Sequence, residues 1–142
     1  MSESRGLAPV LRSVGAIVAG IVVNIVLSLV TDELMYLAGL APRVGQRMSD
    51  PMLAVAAGYR TVYAILASYV IAALAGRRPM LHAMIGGTLG FIVSIIGVVS
   101  TWNDVAKYGP HWYPISLVVT ALPTAWLGAK LYLTRRAKSA QS

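Results

Sequence analysis

Residues 53–75 read LAVAAGYRTVYAILASYVIAALA, and the fold follows from how that string is taken. As a helix rising ~1.5 Å per residue it would measure about 35 Å, enough to cross a hydrocarbon core of ~30 Å. It carries one full charge, Arg60. Segments of similar length and apolarity flank it at 13–30, 79–100 and 114–133. The first continues in a helical pattern through Thr31, Asp32 and Glu33 to Gly39, a residue suited to the position after a helix end. The expected architecture is therefore all-α: a membrane-embedded, four-helix antiparallel bundle. Its helices are predicted at about 13–39, 51–76, 79–100 and 114–134, with a basic tail over 135–142, all in one domain spanning 1–142.

Composition supports that reading. The chain of 142 residues is 57% hydrophobic and 12% charged, with mean hydropathy +0.70. Soluble domains carry about 25% charged residues, so this chain is short of polar surface for a water-soluble fold. There is no cysteine, which removes disulfides, thiolate metal sites and cysteine-based redox or acyl chemistry. The net charge of +7 and pI near 10.2 would suit nucleic acid. The basic residues instead flank the apolar spans, where anionic lipid and membrane orientation account for them. No nucleic-acid partner is expected.

The loops set the topology. An apolar run behind a basic lead also fits a cleaved signal peptide, but the run is long and LSLVTDEL offers no small-residue cleavage site. It is read as a retained helix. Ser49 or Asp50 can cap the second helix and Pro51 fits its first turn. The short Gly76-Arg77-Arg78 link before Pro79 makes helices two and three antiparallel neighbours. Pro123 is expected to bend helix four. Arg5, Arg12, Arg77, Arg78, Lys130, Arg135, Arg136 and Lys138 fall on one side of the spans; Arg43, Arg47 and Lys107 fall on the other. By the excess of positive charge in cytoplasmic flanks, both termini are expected in the cytoplasm. Tyr36, Tyr59, Trp102, Tyr108, Trp112 and Tyr113 gather at the outer boundary, where amphipathic rings prefer to sit. The ends of helices one and three, VTDELMYLAGLAP and VSTWNDVAKYGP, echo each other faintly; chance similarity of two outer ends is the simpler explanation.

Lipid tails are as apolar as leucine, so these helices must associate through close backbone approach and polar bridges. Gly15, Gly20, Gly86, Gly90, Gly97 and Gly128 are the expected packing positions. The plain reading is packing within the bundle. The sharper one is that a Gly86-Gly90 face drives homodimerisation, for which Gly90→Leu is the test.

Arg60 lies about 24 Å from the Gly76 end of its helix, just inside the outer interface. A buried arginine costs on the order of 2.5–3.5 kcal/mol at a helix centre, so a carboxylate partner is expected. Asp32 or Glu33 stands at the right height. Asn24, Ser28 and Asp32 form a four-residue stripe on helix one, and Arg60, Tyr63 and Ser68 face it from helix two. The predicted cluster is Asn24, Ser28, Asp32, Glu33, Tyr36, Arg60 and Tyr63, with Asp32 paired to Arg60 and Tyr63 or Tyr36 bonding nearby. It reads either as a static bridge fixing helix register or as the lining of an outward-facing cavity. His82 and His111 lie at opposite membrane heights and do not make a metal site. Asp104 shares a loop with His111, but no HExxH, GxSxG or GxxxxGK[ST] is present, and GGTLG sits inside an apolar span. No cofactor is expected, and nothing points to a catalytic residue.

The strings TDELMYLAG, SDPML, YRTVY, RRPMLHA and WYPISLVVTALPTAWLGAKL resemble a recurring set of small bacterial four-helix membrane proteins to which no activity attaches. The resemblance covers nearly the whole chain. It implies the architecture and the bacterial plasma (inner) membrane, and nothing about mechanism. Small multidrug transporters are similar in size and helix count, but they rely on a glutamate in the middle of the first helix, where this chain has Asn24. A quinone-linked thiol oxidase of four helices would need the cysteine pair this chain lacks. Two functional readings stay open. One is a non-enzymatic accessory, scaffold or oligomerising component, whose partners are the bilayer, a second copy or another membrane protein. The other is a small transporter or ligand-binding protein working through the Arg60 cluster.

Overall fold

The computed structural model describes residues 3–43 and 45–141, with side chains from Gly6 onward. It is helical throughout: α1 (Glu3–Leu37), α2 (Asp50–Ala75), α3 (Pro79–Thr101), a single turn α4 (Val105–Tyr108) and α5 (Trp112–Ser139). Among the described residues there is no strand, and α1, α2, α3 and α5 are each long and apolar enough to cross a membrane.

Local chemistry explains most of the boundaries. α1 stops because Gly39 takes φ +71. Leu40 N then donates to Met35 O at 3.0 Å and Gly39 N to Tyr36 O at 2.9 Å. This pair of bonds satisfies carbonyls that a helix end leaves open. α2 stops at Gly76, also at φ +71, and Arg12 of α1 closes that end by donating Nε–H to Leu74 O at 3.0 Å. A guanidinium there also meets the negative end of the helix dipole. Asp104 opens α4 by accepting from Lys107 N at 3.1 Å.

Three boundaries differ from the sequence reading. α1 begins at Glu3 and runs through Pro9, where a polar lead was expected. α5 runs unbroken through Pro123 to Ser139, taking in most of the expected basic tail. The TRRAKS end contains neither Gly nor Pro and is made largely of good helix formers, so nothing in it stops the helix. The loop over 101–113 contains α4.

α2 packs against both α1 and α5, and α3 packs mainly on α5. Along α1, Arg12 meets Leu74, Gly20 meets Ile71, Thr31 meets Tyr63 and Asp32 meets Arg60; partner numbers fall as those of α1 rise. The seams are made of small residues. Ala16, Ala56, Ala67, Ala72, Ala75, Ala83, Ala125 and Ala129 are buried, while Leu29, Val62, Val93, Val99 and Val119 stand outside. This inverts the order of a soluble core, where the large apolar side chains go inside. It suits helices whose outer faces meet lipid and whose inner faces gain from close contact.

Gly20, Gly86 and Gly128 sit in these seams. A Cβ on Gly128 would run into Ile65 O and lie 2.7 Å from Ser68 Cβ; one on Gly86 would lie 2.6 Å from Ile71 Cδ1. Gly87, which the sequence reading passed over, meets Ala125 of α5 in the same way. Gly15, Gly90 and Gly97 have open space where a Cβ would go. Gly90 and Gly97 therefore leave room beside α3 and do not seat another helix of this chain.

Candidate functional site

Among the described residues, α1 and α3 are hydrogen-bonded to each other at one end only. Ser13 Oγ and His82 Nε2 are 2.9 Å apart there, and His82 Nδ1 lies 3.0 Å from Arg78 O in its own first turn. Further along, a cavity of about 560 Å3 separates the two helices, with α2 and α5 behind it. Gly20, Ile71 and Gly86 close its floor, and Asp32 and Arg60 stand at its head. From Ile71 to Arg60 is eleven residues of α2, roughly 17 Å. Leu29 and Val93, among the lining residues, are 62% and 66% exposed, so the cavity is open sideways between α1 and α3.

The polar contacts concentrate at the head. Arg60 Nη2 donates to Asp32 Oδ2 at 2.8 Å, and Tyr59 donates its hydroxyl to Asp32 Oδ1. Both carboxylate oxygens are thus occupied. Such charge-assisted bonds are the strong ones, and pairing relieves the cost of placing a guanidinium among apolar helices. Beyond the pair lies a second cavity of about 470 Å3, lined by Glu33, Tyr36, Arg43, Gln46 and both members of the pair. Asp32 and Arg60 therefore form a partition with space on either side.

Of the residues expected in the cluster, Asn24, Ser28, Asp32 and Arg60 line the first cavity; Glu33 and Tyr36 line the second, with Asp32 and Arg60. Tyr63 lines neither. Its hydroxyl is 2.7 Å from Thr31 Oγ1 and its ring packs 5.7 Å from that of Tyr59. Tyr36 accepts from Arg43 Nε at 2.8 Å and does not reach the ion pair. The aromatic hydroxyl on Asp32 belongs to Tyr59, which sequence reasoning placed in the interfacial belt. Its position beside Arg60 in the chain was the available signal.

Two further groups stand out among the hydroxyls. Thr61, Ser68, Thr88, Thr120 and Thr124 each donate back to a carbonyl of their own helix, the usual resort of such groups in apolar surroundings. Ser28 and Ser94, which line the cavity from α1 and α3, bond to no described residue. Asn24 Oδ1 and Arg60 Nε are buried without a partner. Buried polar atoms are nearly always paired, so two unpaired ones on residues that line a single cavity set this region apart.

Elsewhere, His111 and Asp104 have structural partners. His111 stacks on Trp102 at 4.1 Å and places Nε2 2.9 Å from Trp102 O; Asp104 caps α4. Among the described residues no three His, Asp or Glu side chains gather closely enough to hold a metal ion. No family model, curated protein or solved structure matches the chain.

Proposed function

We propose that this chain is a multi-pass membrane protein that binds a ligand in the cavity between α1 and α3. The helices alternate in direction, and both termini lie in the cytoplasm of a bacterial cell. The falling register of α1 against α2 and the basic flanks at 5, 12, 77, 78 and 130–138 support this topology. In that orientation the Asp32–Arg60 partition faces outward and the cavity reaches inward from it. The observation that carries the proposal is the cavity itself, of a size common for small-molecule sites, with the unpartnered hydroxyls of Ser28 and Ser94 in its lining. A bridge serving only to fix helix register would need no such space beside it.

The absence of cysteine makes the test direct. Ser28→Cys, reconstituted in zwitterionic liposomes, is expected to react with a small impermeant thiosulfonate added outside, on the timescale of Asn103→Cys in the outer loop. Val119→Cys, on the outer face of α5, should stay unmodified. The thiolate forms only where water reaches, so a Ser28→Cys as inert as Val119→Cys means a dry bridge and ends the ligand-binding reading.

A further inference from the structure

We infer that the ligand is an anionic amphiphile with a single hydrocarbon chain, its head at Arg60 and its chain lying in the side opening between α1 and α3. This rests on the ligand-binding reading above and adds the chemical class.

The head group follows from what is left to bond. Asp32 has both oxygens engaged, so it offers little to a cationic guest. Arg60 gives only Nη2 to Asp32, so Nη1 of the same positively charged group keeps its N–H donors for a guest. A carboxylate or phosphate oxygen is the acceptor it fits best. Ser28 lies one helical turn below Asp32, at about 6 Å, and offers a free hydroxyl to a linker just beneath the head. Asn24 is the deepest polar residue lining from α1; Ser68 of α2, near the floor, is already bonded to Ala64 O, and the floor itself is Gly20, Ile71 and Gly86.

The chain follows from depth and opening. Roughly 17 Å from head to floor is about one leaflet of a ~30 Å hydrocarbon core. Ile21, Ile25 and Leu29 on α1 face Leu89 and Val93 on α3 across the opening, and all five are exposed. A tail there exchanges lipid contact for contact with these side chains. Gly90 and Gly97, with no neighbour within 4 Å of a notional Cβ, leave the width for it. A soluble anion would use the head and leave the groove empty; an uncharged amphiphile would use the groove and leave the guanidinium unmet.

The probe is the labelling rate of Ser28→Cys in zwitterionic liposomes, read with an uncharged thiosulfonate. Oleate and lysophosphatidate are the anionic amphiphiles, monoolein the uncharged one, and inorganic phosphate the anion without a chain. At about ten times its Kd, an occupant is expected to slow labelling about tenfold. Oleate or lysophosphatidate should do so, monoolein and phosphate should not, and Asn103→Cys should be unaffected throughout. The protection should disappear when Asp32→Asn and Arg60→Gln are combined, which keeps the charge balanced. It should also disappear with Gly90→Leu, which leaves the ion pair in place and fills the groove. Equal protection by monoolein removes the anionic head from the inference. Protection by phosphate alone removes the chain. Labelling that proceeds at one rate under all four additions overturns the inference while leaving a hydrated cavity; no labelling at all refers the failure to the ligand-binding reading.

Discussion

Asp32→Asn is expected to destabilise the bundle by about 3 kcal/mol, the low end of the range for removing one partner of a buried ion pair. The low end applies because the two side chains keep 34% and 21% of their exposure. The loss arises mainly from the guanidinium left behind, which no longer has a carboxylate among apolar helices. Arg60→Gln should cost a similar amount, stranding the carboxylate that Tyr59 alone then holds. The double change should be milder than the two single losses summed, since neither charge is then stranded. Unfolding of the purified protein in mixed micelles titrated with dodecyl sulfate, followed by helical circular dichroism, measures all three. Additive losses would mean that the two residues do not depend on each other.

The second large effect belongs to Gly128. Overpacking a close contact costs about 1–3 kcal/mol where the surroundings can give, and more where they cannot. Here the obstacle is the α2 backbone, with Ile65 O against the new Cβ and Tyr69 N at 2.9 Å, so neither atom can turn aside by changing rotamer. Gly128→Ala is expected to cost at least about 2 kcal/mol, and Gly128→Leu to part α2 from α5. Gly15→Ala meets nothing within 4 Å and should gain about 0.5–1 kcal/mol from helix propensity alone. The same titration compares them. Equal behaviour of Gly15→Ala and Gly128→Ala would mean that α5 does not sit against α2 at this point.

These two sites show what the sequence carried and what it did not. Four apolar runs, a glycine stop at position 39 and one charge inside a span are written in residue order, and the helices and the Asp32–Arg60 contact are found where those signals point. Which glycine touches which helix is not written there. In a bilayer the lipid face and the inner face are both apolar, so the periodicity that marks a buried side in soluble helices carries little information. Gly90 and Gly128 look alike in sequence, yet one opens the cavity and the other closes a seam. Tyr59 could be read as an interfacial ring because its hydroxyl partner, Asp32, lies twenty-seven residues away on another helix. The helical start at Glu3 was hidden by Pro9, a residue that ordinarily disfavours a helix interior, and by charges that read as a loop.

A hydrated face on α1, against Arg60, is the proposition on which the proposed function and its ligand both depend. A nitroxide carried in turn by each of residues 21–32, in zwitterionic bilayers, measures it through collision with a water-soluble nickel chelate and with oxygen. Nickel contact should peak at 24, 28 and 32, one turn apart, and oxygen should dominate at 22, 26 and 30. Oxygen dominance at every position would place α1 in lipid on all sides and leave no cavity for Arg60 to head.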